Sequence, residues 1–239
     1  MSLILFTFFY SKYIVLLKMN FISDQEFVDD TIFKHPFTCM LAGPTMSGKT
    51  TILNKILKNH TLLFDKKIDR IIYCYARWQN TYDKMKLDNS NIEFKEGLPE
   101  IDLINANQDN LLILDDLMDL CERDKTILNL FTTDSHQKSI SVFLITQNLF
   151  SQGKFSRTIG LNSHYLFLLN NPRDQSQIYF LARQMFPNDS KFLVECYADA
   201  VENKKFGYLF IDLKQSTKKK HRVQSGVLPG EERVIYQIK

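Results

Sequence analysis

No two cysteines in this chain stand at the spacing that binds zinc or runs a dithiol exchange: Cys39, Cys74, Cys121 and Cys196 are scattered, without a C-x-x-C pair. They read as reduced core thiols of an intracellular protein rather than as a metal site. Glycine is scarce, with eight residues in 239, which leaves little room for flexible linkers, and the length suits one α/β domain rather than two. Internal repeats and low-complexity tracts are absent; Lys218-Lys219-Lys220-His221-Arg222 comes nearest to one. A charge surplus of only +3 neither demands nor excludes nucleic acid. What is plentiful excludes disorder: 44% of residues are hydrophobic, 24% are charged and 19 are phenylalanine.

The one long apolar stretch, Leu3 to Leu17, is broken by Ser11 and Lys12. It falls short of the roughly twenty residues that a spanning helix needs. It also lacks a basic start and a small-residue cleavage site. Three readings remain for it: a non-native upstream extension with Met19 as the working start, a packed strand or helix, and a membrane anchor, which length ranks last. The expected organisation is an apolar N-terminal extension over residues 1–20 and a single domain over 21–239.

Residues Gly43, Pro44, Thr45, Met46, Ser47, Gly48, Lys49 and Thr50 complete the pattern G-x-x-x-x-G-K-[ST] directly after the apolar run Phe37 to Ala42. Glycines without a Cβ let the backbone wrap a phosphate and aim successive N–H groups at it, while the following helix presents its positive end. Lys49 supplies a mobile charge for the outer phosphates, Thr50 is the expected inner ligand of Mg²⁺, and Thr51 adds a hydroxyl near the inner phosphates. Four fixed positions recur by chance, so context decides. A buried strand precedes the loop, and Ile52, Leu53, Ile56 and Leu57 recur at helical spacing after it.

Strand-like runs follow at Arg70 to Tyr75, Leu111 to Leu114, Ser139 to Thr146, His164 to Leu169 and Gly207 to Leu213. Helical patterns lie around Asp174 to Met185 and Lys191 to Val201. Apolar strands alternating with helices predict a mostly parallel sheet covered on both faces. Residues Trp78 to Asn110 are polar and read as an excursion from the core.

The run Leu111 to Leu114 ends in Asp115-Asp116, and ligands in open α/β sheets gather at the carboxyl edges of the strands. Asp115 is expected to hold Mg²⁺ through water, and Asp116 to orient and deprotonate the attacking water. Taken alone, two acids here also fit a helix start.

The order GPTMSGKTT, LLILDDLM, SHQKSISVFLITQNLF and SRTIGLNSHYLFLLNNPRD resembles the genome-packaging ATPases of the FtsK/HerA superfamily. Within it, the chain looks like the branch of poxvirus-like large DNA viruses and of Maverick/Polinton virus-like transposons, the Polinton type most of all. The resemblance runs from about Phe33 to the C-terminus. It implies a RecA-like P-loop NTPase core of the additional-strand type, with Arg70 to Tyr75 as the added strand between the two nucleotide motifs. It also implies ATP with Mg²⁺, a homo-oligomeric ring, double-stranded DNA as the translocated partner, a capsid portal or vertex protein, and work at the site of particle assembly in host nucleus or cytoplasm.

Carried over by position, Gln147 is the polar sensor of the γ-phosphate, although a Gln there also suits a strand end. The arginine that the family supplies from a neighbouring subunit falls first on Arg157 and second on Arg173; each also reads as ordinary surface. The family's His pair is reduced to His136 alone, which reads as helix-end packing or sensor support. DNA contact is available from Lys218 to Arg222, from Lys204-Lys205, and from Lys154 with Arg157, against the plain alternative of solvated charge. Trp78 and its polar excursion offer another insertion. Other functions that stay open are a different P-loop enzyme such as a kinase, disfavoured by the doubled acid and by the lack of an N-K-x-D guanine reader, and a non-hydrolysing scaffold.

Overall fold

A computed structural model of the chain describes residues 13–17, 31–89, 91–121, 123–151, 153–202 and 204–238. Its strands are β1 (Tyr13–Leu17), β2 (Thr38–Ala42), β3 (Arg70–Tyr75), β4 (Ile92–Glu96), β5 (Asn110–Asp115), β6 (Ile140–Thr146), β7 (Tyr165–Leu169), β8 (Tyr208–Asp212), β9 (Val223–Ser225) and β10 (Val234–Ile238). The helices are α1 (Lys49–Lys58), α2 (His60–Leu63), α3 (Asn80–Asp88), α4 (Met118–Cys121), α5 (Lys125–Asn129), α6 (Ser135–Gln137), α7 (Ser156–Leu161), α8 (Ser176–Met185) and α9 (Ser190–Val201). Among the described residues all strands join one sheet in the order β1-β10-β9-β8-β7-β2-β6-β5-β3-β4.

From β7 to β4 every neighbouring pair is parallel. These strands are apolar throughout because both faces are covered, and the pleat sends alternate residues to opposite sides. Leu41, Ile113, Phe143 and Ile145 join α1 and α3 in one core. Met40, Leu112, Leu114, Val142 and Leu144 join α7, α8 and α9 in the other. Helix α1 docks by Ile52, Leu53, Ile56 and Leu57, all buried, and each such side chain contributes about 1.5–3 kcal/mol relative to exposure.

Two expectations need correction. The strand inserted between the phosphate-loop strand β2 and the acid strand β5 is β6, not Arg70 to Tyr75; β3 lies between the motifs in sequence but outside β5 in the sheet. Sequence order says nothing about lateral order once crossovers are long enough to skip a strand. The polar stretch Trp78 to Asn110 is likewise no excursion. It contributes α3, the parallel edge strand β4 and the first residue of β5, and it buries Tyr82, Met85, Ile92 and Ile101. An edge strand faces water along one side, so its polar content hides it from a hydrophobic-run criterion.

The expected parallel sheet is extended on its other flank by β8, β9, β10 and β1, all paired antiparallel. Of the apolar N-terminal stretch, Tyr13–Leu17 pairs along β10, while residues 1–12 and Met19 lie outside the described residues. Among the described residues no helix is long and apolar enough to cross a membrane. All four cysteines are free and buried, and burial pushes the Cys74 thiol up to about 12.

Candidate active site

The parallel strands bring their carboxyl ends to one edge, where the phosphate loop, the acid pair and Gln147 lie together. The loop after β2 is anchored by the Gly43 N–H, which donates to the Thr146 carbonyl at 3.2 Å, and by Ser47 N–H, which donates to the Pro44 carbonyl at 3.2 Å. Met46 (φ 65) and Gly48 (φ 105) take left-handed backbone, and Gly48 begins α1. A Cβ on Gly43 would stand 2.7 Å from Ser47 Oγ and 2.8 Å from Leu169 Cβ, so the close approach of loop and β7 requires glycine. The Lys49 ammonium donates to the Gly43 and Pro44 carbonyls at 2.6 and 2.8 Å, folding back over the loop it belongs to. Burial lowers its pKa, while Asp115 and Asp116 hold it up. Thr50 is half-buried at the start of α1 and Thr51 is exposed beside it.

Across the edge, Asp115 ends β5 at 5% exposure and Asp116 follows it into solvent. Asp116 takes φ 56, a left-handed conformation that Asp tolerates better than most residues. That turn aims its carboxylate at the end of β6, where Gln147 Nε2 donates to Asp116 Oδ1 at 3.3 Å. The two residues assigned to the attacking water therefore meet, although 31 positions separate them.

Asp115 is held by two partners that sequence reading missed. Tyr73 Oη donates to Asp115 Oδ2 at 2.5 Å, and Tyr82 Oη donates to the same oxygen at 2.9 Å. Tyr73 comes from β3 and Tyr82 from α3, inside the supposed excursion. Both side chains are fully buried in an aromatic cluster with Phe94, and Trp78 packs edge-on against Tyr82. Burial raises the Asp115 pKa; the tyrosine hydrogen bonds and Lys49 pull it down, and the Asp116 charge pushes it up. No sequence signal marks Tyr73: it is the parallel pairing of β3 with β5, setting Tyr75 opposite Asp115, that puts the Tyr73 and Asp115 side chains on one face of the sheet.

A pH-dependent stability difference follows from that clamp. An acid whose folded pKa is raised weakens the fold as pH rises through its ordinary range, and deleting its donors raises it further. Tyr82→Phe is expected to cost about 1–3 kcal/mol at neutral pH. The deficit should be smallest at acid pH, where the carboxyl is protonated, and grow as pH rises above the ordinary carboxylate range and the folded carboxyl ionises. Denaturant titrations across that range check it, and a deficit that does not change with pH would argue against the pairing.

The loop after β6 is braced by another residue absent from the sequence assignment. Gln177 Oε1 accepts from the Leu149 N–H at 2.7 Å, and its Nε2 donates to Asp174 Oδ2 at 2.7 Å, tying the Gln147 loop to the loop after β7. Arg157 lies exposed in the first turn of α7, and Arg173 lies exposed after β7, its N–H donating to Asn171 Oδ1 at 3.3 Å. Neither guanidinium reaches the acid pair within the chain. His136 falls in α6, and its side chain lies outside the described residues.

The basic candidates separate to opposite ends of the sheet. Lys204 and Lys205 precede β8 at the edge carrying the phosphate loop, whereas Lys218 to Arg222 follow β8, which runs antiparallel to β7, at the far edge.

The residues fit a nucleoside triphosphate with Mg²⁺. Ser47 Oγ is buried without a partner in the loop, the Lys49 ammonium faces the two carbonyls at the loop's start, and both tyrosines occupy Oδ2 of Asp115 rather than Oδ1.

A parallel sheet with a lysine-bearing phosphate loop after one strand, an acid pair two strands away and a polar residue just past the end of the strand between defines an ATPase of the P-loop class. The chain belongs to the poxvirus A32 protein family, which residues 24–159 match. No curated protein matches it. Among solved structures it is similar to EssC (ATPases 2 and 3) from Geobacillus thermodenitrificans, with TM-score 0.50, 11% identity, and coverage of 84% of this chain and 39% of that one. It is also similar to the genome packaging NTPase B204 from Sulfolobus turreted icosahedral virus 2 in complex with ATP-gammaS, with TM-score 0.48, 13% identity, and coverage of 80% of this chain and 96% of that one.

Proposed function

We propose that the chain is an ATP-hydrolysing motor that drives double-stranded DNA into the capsid of a virus or of a virus-like transposon of the Maverick/Polinton type. The observation that carries the reading is the Asp116–Gln147 contact at the carboxyl edge beside the phosphate loop, in a chain of the poxvirus A32 protein family. An acid that meets a polar sensor across neighbouring strands is arranged for hydrolysis rather than for holding a nucleotide passively.

In this mechanism the loop amides from Gly43 to Thr51 cradle the phosphates, and Lys49 exchanges its carbonyl contacts for the outer phosphate oxygens. Thr50, and Asp115 through water, would hold Mg²⁺, whose charge would offset the negative charge of the phosphates when it is bound. Asp116 takes a proton from water as the water oxygen bonds to the γ-phosphorus and the bridge to the β-phosphate breaks, giving ADP and inorganic phosphate. Gln147, already in reach of Asp116, orients that water and registers loss of the γ-phosphate. An arginine from the next subunit of a homo-oligomeric ring completes the site, with Arg157 first and Arg173 second.

DNA is the substrate that moves, contacted by pore-facing lysines. A capsid portal or vertex protein docks the ring where particles assemble, in host nucleus or cytoplasm. ATPase rates with and without duplex DNA, measured beside particle mass, test the reading. Stimulation by duplex together with a ring is expected; a monomer indifferent to DNA would overturn it.

A further inference from the structure

We propose that Phe206 is the platform on which the base of the bound nucleotide stacks. The inference rests on the reading of the phosphate loop as a nucleoside triphosphate site and adds the subsite for the other end of that molecule.

Phe206 sits in the turn Lys204–Gly207 between α9 and β8, closed by the Gly207 N–H donating to the Lys204 carbonyl at 3.1 Å. Because β8 is antiparallel to β7 and pairs Tyr208 with Leu169, this turn reaches the edge where β2 delivers the loop. The ring lies directly on the loop: a Cβ placed on Gly48 would come within 2.4 Å of Phe206 Cδ1.

The placement is costly and held in position. Phe206 has φ 60, a left-handed conformation unfavourable for a bulky residue, yet the residue is 37% exposed rather than buried in the core. Gly207 pins the turn against α9, since a Cβ there would stand 2.6 Å from the Ala200 carbonyl oxygen. A strained backbone that holds a part-exposed aromatic ring on a phosphate loop, instead of in the core, points to a use beyond packing.

Direction supplies the ligand. The outer phosphate must face Asp116 and Gln147, which lie on the β6 and β5 side of β2. The nucleoside therefore leaves the loop on the opposite side, toward β7 and β8, where Phe206 stands. The Lys205 ammonium, 5.4 Å from the ring centroid, adds a cation next to that path. A phenyl face stacks any base, so the subsite grips a nucleoside without selecting adenine over guanine.

Calorimetric titrations of the full chain with ATP, GTP and inorganic tripolyphosphate, each with Mg²⁺, test this. Phe206→Ala is expected to weaken ATP and GTP about tenfold while leaving tripolyphosphate within about twofold, and Phe206→Tyr is expected to keep wild-type affinity for all three. Equal losses for nucleotide and tripolyphosphate would make Phe206 a packing residue of the loop, and no loss for any of them would remove it from the site; either result overturns the proposal. A wild-type chain that binds neither ATP nor tripolyphosphate would sink the phosphate-site reading itself. One that binds both but ignores DNA would sink only the motor, and the platform would stand.

Discussion

An Asp116→Asn chain is expected to bind ATP with near wild-type affinity and to turn it over about 100- to 10,000-fold more slowly. Asparagine keeps the size of the side chain and an oxygen able to accept from Gln147 Nε2, so the contact now seen at 3.3 Å is preserved while the capacity to accept a proton from water is lost. Asp115→Asn should behave differently. That carboxylate is buried at the end of β5 and receives two tyrosine hydroxyls, so its substitution should weaken Mg²⁺-dependent nucleotide binding and thermal stability as well as rate. Single-turnover hydrolysis measured beside equilibrium nucleotide binding separates the two. Wild-type turnover in Asp116→Asn would remove Asp116 from the mechanism and leave Asp115 as the sole functional acid.

The second large effect concerns completion of the site across subunits. Arg157→Ala is expected to lower the maximal rate about 1,000-fold or more without changing ATP affinity, because a guanidinium delivered in trans acts on charge that develops only in the transition state. The side chain is exposed in the first turn of α7 and makes no ion pair or side-chain hydrogen bond among the described residues, so its loss should leave the fold intact. Mixing supplies the decisive comparison. Lys49→Ala subunits carry an intact Arg157 but a disabled phosphate site, and Arg157→Ala subunits carry the converse. Activity should return when the two inactive proteins share a ring. Failure to regain activity, or an unimpaired Arg157→Ala protein, would move the role to Arg173, in the exposed loop after β7.

How much of this was legible beforehand differs from element to element. The strands flanking the site could be read because they are buried on both faces: Leu111 to Leu114 and Ile140 to Ile145 are continuous apolar runs, apart from Ser141, that end in polar residues. Other strands carry no such mark. The edge strand β4 reads Ile-Glu-Phe-Lys-Glu, and β9, although interior to the sheet, is only three residues long, so neither stands out from loop sequence. The same limitation hid Tyr82, whose hydroxyl belongs to the site although its neighbours in sequence are polar. Phe206 went unread for a different reason: one aromatic beside two lysines acquires meaning only when β8 turns antiparallel and places it against Gly48.

By itself the sequence determined the chemistry: a loop with glycines where backbone must approach phosphate, a lysine and a threonine at its end, and an acid pair after a buried strand. These are short-range requirements, met by neighbours along the chain, so their spacing is visible without coordinates. Only the tertiary structure decided which strand separates the loop from the acids, that Gln147 meets Asp116, that Tyr73 and Tyr82 hold Asp115, and which face of the loop Phe206 covers. Those facts depend on lateral strand order and direction, set by crossovers and by burial summed over both faces of the sheet, and no local pattern records either.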